Sequence, residues 1–212
     1  GADGQGLSKR LGSLSIEQLK TDGFEPIAIT SLLAKIGTSD NVEARASLAA
    51  LTEEFDFAKI GRAPARFDED ELRDVNAAVL HELPFETVKD RLAAIDPCAV
   101  EAPLFWETVR LNCETLGDVA EWIDVAYGEV SPSIADEDRD FIEEAAALMP
   151  DLEFGEGAWR EWTAILKDKT GRKGKSLFMP LRHALTGRTY GPDMAAMLQL
   201  IGRDRAKARL TA

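Results

Sequence analysis

The sequence predicts an all-α fold, and three observations support this prediction. Apolar residues recur at helical spacing, as in 177–185, where they stand at positions i, i+1, i+4, i+7 and i+8. Residues that begin and end helices flank such stretches. No segment shows the alternation of a half-buried strand, and no repeat of fixed period is present. With 45% apolar residues among 212, the chain should form helices that pack around buried cores.

The first region, 1–84, is predicted to contain four helices. Ser15 is a typical N-cap, and Pro26 suits the first position of the second helix. Ser47 caps the third helix, Asp68 begins the fourth, and Pro84 ends the region. The predicted helices cover 16–21, 26–36, 48–55 and 68–83. Their predicted inner faces include Ile29, Leu32, Leu33 and Ile36 in the second helix and Leu48, Leu51 and Phe55 in the third.

The second and third regions are predicted to span 85–132 and 133–212. Trp106 and Trp122 lie within apolar helical patterns, so we interpret both as core residues rather than base-stacking platforms. The predicted helices cover 85–95, 101–113, 116–127, 134–149, 159–170, 193–201 and 203–210. The inner faces should include Ile95, Trp159, Trp162, Ile165 and Leu166.

One further helix is predicted in the basic stretch 171–187. Its apolar face comprises Leu177, Phe178, Leu181, Ala184 and Leu185. Pro180 should kink this helix or mark its first turn, and Gly187 should end it. Arg182 lies off the apolar face, where it is free to meet a ligand.

Charge is distributed unevenly along the chain. The net charge is −13, yet residues 160–212 contain 12 Lys and Arg against 4 Asp and Glu, a local charge of +8 that leaves −21 for residues 1–159. This asymmetry is typical of a protein whose C-terminal part faces an anion. A basic C-terminal helix that pairs with acidic neighbours would produce the same pattern, so charge alone leaves both interpretations open.

Several functional classes find no support. Two cysteines and two histidines fit no metal or redox spacing, so no metal site is expected. No Ser/His/Asp, Cys/His or paired-carboxylate constellation indicates an independent hydrolase. No apolar run is long enough to cross a membrane, and the polar N-terminus is not a signal peptide. We therefore expect a protein of the reducing cytoplasm without a membrane partner.

Three short motifs together resemble one enzyme family. The stretch 173–187 is followed by Gly191 and Pro192, 200–205 reads Leu-Ile-Gly-Arg-Asp-Arg, and 6–10 reads Gly-Leu-Ser-Lys-Arg. These motifs are similar to those of bacterial glutamyl-tRNA synthetase, a class I aminoacyl-tRNA synthetase. The resemblance covers essentially the whole chain. It places the chain in the C-terminal portion of such an enzyme, beginning at the mobile loop called KMSKS.

The resemblance implies a role for each region. Region 1–84 would contain the KMSKS loop and the stem-contact region, in which Ser8, Lys9 and Arg10 bind ATP in the parent enzyme. Lys9 would be catalytic, because a lysine stabilises the ATP phosphates with Mg²⁺ present. By itself, a basic string in this glycine-rich segment is more typical of a disordered tail. Without the upstream catalytic domain we expect neither ATP binding nor catalysis by this chain.

The resemblance also implies an RNA site. Regions 85–132 and 133–212 would be two helical anticodon-binding subdomains. The family's anticodon contacts correspond to Arg182, Gly191, Pro192 and Met194, and an arginine of some relatives corresponds to Asn112. The expected partner of a monomeric protein is glutamate tRNA, with glutamine tRNA left open and no DNA. The alternative is a non-catalytic helical protein-interaction module that keeps the scaffold without RNA binding.

Overall fold

The fold is all-α, as the sequence predicts. The computed structural model describes residues 15–132, 134–151 and 154–212. Within these ranges it contains helices, short 3-10 turns and one isolated β-bridge between Thr38 and Ile60. The helices are α1 (Ile16–Thr21), α2 (Pro26–Lys35), α3 (Leu48–Glu54), α4 (Glu69–Glu82), α5 (Phe85–Ile95), α6 (Pro103–Val109), α7 (Val119–Tyr127), α8 (Arg139–Ala147), α9 (Ala158–Thr170), α10 (Lys175–Thr186), α11 (Met194–Ile201) and α12 (Arg203–Leu210). None of the described helices has the length and apolar character needed to cross a membrane.

The chain divides into two compact units. Of the described residues, the first unit contains those up to Val88 together with Cys113–Asp118, and the second contains those of Lys89–Asn112 and Val119–Ala212. The division into regions 1–84, 85–132 and 133–212 remains a prediction, because functional subdomains and compact units need not share boundaries.

The core of the first unit forms where α2 packs against α4. Its buried members are Leu19, Phe24, Ala28, Ile29, Leu32, Leu72, Val75 and Val79. The carboxamide of Asn76 lies beside this core and joins two segments. Its Oδ1 accepts a hydrogen bond from the backbone N of Glu25 at 2.6 Å, and its Nδ2 donates to the carbonyl of Glu114 at 2.5 Å. Asn76 therefore ties the start of α2 to segment Cys113–Asp118.

A network of charged side chains connects α2, α3 and the loops beside them. The ammonium of Lys35, which is 6% exposed, lies 3.0 Å from Asp40 and 2.7 Å from Glu54. Arg45 donates to the other oxygen of Glu54 at 2.6 Å, and Lys59 lies 2.9 Å from Asp40. Hydrogen bonds from Arg45 and Lys35 lower the pKa of Glu54 from 4.5 to about 2. Glu54 is therefore bound as a carboxylate between two cations.

Glu54→Gln is expected to destabilise the chain at neutral pH and to have little effect near pH 2. The folded-state pKa is lowered, so the stabilising contribution is complete above the unfolded pKa of 4.5 and disappears as the pH falls toward about 2. Urea denaturation of both proteins from about pH 7 to about pH 2 measures this difference. Glu53→Gln, at an exposed position of the same helix, is the matched control. A difference between Glu54→Gln and the parent that stays constant over this range would contradict the assignment.

Helix α11 is the centre of the second unit. It packs against α6, α7, α9 and α12, while α10 packs against α8, α9 and α12. Trp106 and Trp122 are 0% and 2% exposed, which confirms their prediction as core residues. Trp162 is also buried, and its indole N–H donates to the carbonyl of Ala145 at 3.1 Å. Side chains along α10, including Leu177, Leu181 and Leu185, are also buried in this unit.

Pro180 lies inside α10 rather than in its first turn. A proline has no backbone N–H, so the carbonyl of Ser176 lacks its usual helical donor. The guanidinium of Arg172 replaces that donor, because its Nη1 lies 3.2 Å from the Ser176 oxygen. Arg172 also pairs with Asp138 and stacks over the ring of Phe141 at 4.3 Å. Arg172 is therefore part of the scaffold.

Helix boundaries differ from the prediction where 3-10 turns replace α-helix. The predicted helix 101–113 contains α6 followed by a 3-10 turn at Arg110–Asn112, and the predicted helix 134–149 begins with a 3-10 turn at Asp136–Asp138. The predicted burial of several residues on the inner faces of the helices was also wrong. Side chains predicted to be buried are at least 40% exposed at Leu33, Leu48, Phe55, Ile95, Ile165 and Phe178.

Candidate nucleic-acid interface

The loop between α10 and α11 is the centre of the candidate site. Gly187 ends α10 in a left-handed conformation, and its N–H donates to the carbonyl of His183. The backbone N of Arg188 donates to Thr186 Oγ1 at 3.1 Å. At the other end Asp193 caps α11, because its carboxylate accepts hydrogen bonds from the backbone N of Ala195 and Ala196. Loop 188–193 is therefore anchored at both ends.

Arg182 supports this loop from α10. Its Nη2 donates to the carbonyl of Pro192 at 2.9 Å. The sequence predicted a side chain free of contacts within the protein, and this hydrogen bond corrects that prediction. Burial lowers the pKa of Arg182 below its usual value, against the opposing effect of the Asp193 carboxylate. An arginine nevertheless keeps its charge and has five N–H donors. Those not used on Pro192 can meet a ligand.

Gly191 brings the loop backbone against the indole of Trp122. A Cβ on Gly191 would lie 2.7 Å and 2.8 Å from two ring carbons of Trp122 and 3.5 Å from Arg182 Nη1. The φ of Gly191 is +126°, a conformation that side chains other than glycine rarely adopt. Two independent features therefore require glycine at this position: the lack of space for a Cβ and the positive φ.

The backbone of Asn112 contacts the same tryptophan. Trp122 Nε1 donates to the carbonyl of Asn112 at 3.4 Å. The residues assigned by resemblance thus converge, since Arg182 contacts Pro192, Gly191 contacts Trp122, and Trp122 contacts Asn112. The side chains of Pro192 and Met194 are buried, so they support the loop rather than face solvent. Ser8, Lys9 and Arg10 lie outside the described residues.

Three residues of the site were not predicted from the sequence. Glu121 Oε1 accepts a hydrogen bond from the Tyr190 hydroxyl at 3.1 Å and pairs with Arg188 Nη2 at 3.1 Å. The Tyr190 ring also meets the Trp122 ring edge-on, with centroids 6.1 Å apart. Glu121 and Tyr190 are 69 residues apart, so local pattern contains no signal for this contact. The one available signal for a role of Glu121 in the site was its position next to Trp122 in the sequence.

The basic C-terminal part does not present all of its cations to a ligand. Arg172 and Arg203 pair with Asp138 and Asp151, and the buried Arg209 donates to three backbone carbonyls. Exposed cations remain along the same segment, at Arg160, Lys167, Lys169, Lys173, Lys175 and Lys207. Some cations of 160–212 therefore stabilise the fold, and others face solvent, where they are available to an anion.

The described ranges contain no group of three or more His, Cys, Asp or Glu side chains arranged to hold a metal ion. The site consists of a guanidinium, aromatic rings and loop backbone. Such groups recognise the edges and faces of unpaired bases.

Comparison with known proteins identifies the family. The family model of the anticodon binding domain matches residues 48–212. The chain is 54% identical over 211 residues to glutamate–tRNA ligase 2 of Hyphomonas neptunium, which covers 100% of the chain and 47% of that protein. It is 46% identical over 208 residues to glutamate–tRNA ligase 1 of Brucella canis, covering 97% of the chain and 46% of that protein.

A solved structure has the same fold. The glutamate–tRNA ligase of Elizabethkingia meningosepticum superposes with a TM-score of 0.77 at 19% identity, over 99% of this chain and 48% of that one. The chain thus spans about half the length of the relatives it matches. These matches confirm the resemblance inferred from the three motifs, and the chain belongs to the anticodon-binding domain family.

Proposed function

We propose that this chain binds the anticodon loop of a glutamate tRNA, as part of a cytoplasmic glutamate–tRNA ligase. The observation that carries this proposal is the series of contacts that joins Arg182 to Pro192, Gly191 to Trp122, and Trp122 to Asn112. The resemblance assigns Arg182, Gly191, Pro192 and Asn112 to anticodon contacts, although Asn112 and Pro192 are 80 residues apart in the sequence. A shared role in a ligand site gives a reason for their assembly at one place.

The chemistry of the site suits unpaired bases. Anticodon bases are unstacked in their loop, where side chains and backbone groups can read their edges. Arg182 offers N–H donors to base acceptors. Within the described residues, no acceptor pairs with the backbone N–H of Thr189, Tyr190 or Gly191. The exposed lysines of 160–212 supply positive charge for the phosphates, so RNA binding should weaken as salt rises.

The proposal extends to the longer enzyme. By resemblance, Ser8, Lys9 and Arg10 would bind the phosphates of ATP, with Mg²⁺ as the counter-ion, while glutamyl-adenylate forms elsewhere in the protein. Glutamine tRNA would be a second partner if the contact at Asn112 tolerates its anticodon. We propose that the chain acts as a monomer.

Arg182→Ala is expected to weaken binding of glutamate tRNA by about 1–3 kcal/mol, with the loss concentrated at one anticodon position. The substitution removes base-edge donors and releases the Pro192 carbonyl from its hydrogen bond. Filter binding of the 212-residue chain to tRNA transcripts with each anticodon base varied measures both effects. Arg182→Lys should recover only part of the loss, because an ammonium keeps the charge without the planar fork.

Arg160→Ala is the matched control, since it removes one exposed arginine from the same basic segment. Its effect should be small and equal for all anticodon variants. If Arg182→Ala and the parent bind all transcripts alike, Arg182 is not an anticodon contact. If the parent shows no salt-dependent binding to tRNA, the proposed function fails and the interaction-module alternative is favoured.

A further inference from the structure

Tyr190 is an aromatic side chain in an unusual position. It lies on loop 188–193 and is 57% exposed. Exposing a large ring to water forgoes the stabilisation that its burial would give. The ring is nevertheless anchored, so its exposure is not that of a loose surface side chain.

Two contacts orient the Tyr190 ring. The hydroxyl donates to Glu121 Oε1 at 3.1 Å, and the indole of Trp122 meets the ring with an interplanar angle of 88°. Arg188 holds the same carboxylate oxygen at 3.1 Å. Because the tip and the side of the ring are held, little rotamer freedom remains to be lost when a ligand binds.

The position of the ring relates it to the proposed anticodon site. Tyr190 precedes Gly191, where an added Cβ would lie 2.7 Å from Trp122 and 3.5 Å from Arg182 Nη1. A base whose edge meets Arg182 would therefore have its face within reach of the adjacent loop residue. A planar side chain next to base-edge donors is the combination that single-stranded RNA sites use.

We infer that Tyr190 is a stacking platform for one unpaired base of the RNA loop, positioned by Glu121. This inference rests on the proposed function and adds a binding residue to it. Stacking requires an aromatic face and is independent of the hydroxyl, whereas positioning requires the hydroxyl and the Glu121 carboxylate. The two roles can therefore be separated by substitution.

The experiment compares Tyr190→Leu with Tyr190→Phe in the 212-residue chain. The probe is a glutamate tRNA anticodon stem-loop that contains 2-aminopurine at one loop position at a time. Tyr190→Leu should weaken binding about tenfold and abolish the quenching of one labelled base on binding. Tyr190→Phe keeps the ring, so it should retain that quenching and lose less than about threefold in affinity.

Glu121→Ala tests the positioning role without changing the ring, because it removes the acceptor of the Tyr190 hydroxyl, which a glutamine would keep. It should keep the quenching of the same base and weaken binding to an extent similar to Tyr190→Phe. Thermal unfolding of each variant checks that the second unit is intact. If Tyr190→Leu lowers the melting temperature but leaves both affinity and quenching as in the parent, the ring is only a packing residue and the inference is overturned.

The outcomes also separate this inference from the proposed function. If Arg182→Ala weakens RNA binding while Tyr190→Leu does not, the anticodon site stands and the stacking platform does not. If the parent chain fails to bind the stem-loop, the proposed function itself is wrong, and the inference fails with it.

Discussion

Replacing Arg209 with methionine is expected to lower the free energy of unfolding by about 3–5 kcal/mol. Arg209 is 5% exposed, and its Nη1 donates to the carbonyls of Val125 at 2.8 Å and Leu185 at 2.6 Å. Its Nη2 donates to the carbonyl of Gly128 at 2.9 Å. Methionine fills similar space but leaves these three oxygens without their donor.

The carbonyls that Arg209 meets explain why a cation is tolerated in this core. Val125 and Leu185 lie in the last turns of α7 and α10. Carbonyls there lack helical donors, and the C-terminal end of each helix dipole has a partial negative charge. Burial and, to a smaller extent, the charge of Arg205 lower the pKa of Arg209 to about 10, so the side chain remains charged at neutral pH. Arg209 thus caps two helices at once.

Urea denaturation of the 212-residue chain measures this effect. Arg205→Met is the matched control from the same helix. Arg205 is exposed, stacks over Tyr127 at 5.8 Å, and donates to the carbonyls of Ile201 at 2.7 Å and Leu200 at 3.3 Å. This substitution should cost less than about 1 kcal/mol. Arg209→Lys should be intermediate, because an ammonium supplies three donors without the fork geometry. Equal losses for Arg209→Met and Arg205→Met would show that the buried hydrogen bonds contribute nothing particular.

Arg209 also shows the limit of counting charges along a sequence. The local charge of +8 treats every cation of 160–212 as available, yet the partners of Arg209 lie 24, 81 and 84 residues away. Arg172 is a similar case, because its role depends on Pro180 and on Asp138. Such uses of arginine follow from tertiary packing, which charge statistics do not contain.

The helices themselves were largely predictable because their signals are local. Ser15 and Ser47 cap helices as expected, and α5 and α12 have the predicted bounds. The prediction that side chains such as Leu48 and Phe55 are buried was wrong because α3 is short. Helix α3 has seven residues, so it turns only part of its surface to a core, and Phe55 already lies beyond its end. Periodicity predicts one face without showing how much of it is covered.

The candidate site was predictable only where a motif marked it. Arg182, Gly191, Pro192 and Met194 belong to one short stretch that resembles a family pattern. Glu121 and Tyr190 contact each other across 69 residues, so only the fold brings them together. Trp122 was correctly predicted as a buried residue, yet its proximity to Gly191 makes it part of the site's support.

Gly191→Ala is expected to cost about 2–4 kcal/mol, divided between stability and RNA affinity. The new Cβ would lie 2.7 Å from Trp122 Cη2, in a backbone conformation with φ of +126°. If the loop stays in place, the strain destabilises the second unit. If the loop moves away, Pro192 leaves Arg182 and Tyr190 leaves Glu121, so RNA binding falls. The sum of the two losses is the quantity to measure, by urea denaturation and filter binding.

Gly155→Ala is the matched control, because no atom of the described residues outside its chain neighbours lies within 4 Å of the Cβ it would add. A double-mutant cycle with Trp122→Phe separates the two causes of the Gly191 effect. Phenylalanine removes the ring carbons that the new Cβ would strike, so the steric part of the loss should disappear, with a coupling of about 0.5–3 kcal/mol. The conformational part should remain, because φ does not depend on Trp122. Additive losses would show that backbone conformation alone requires glycine at this position, and that the close contact with Trp122 has no energetic role.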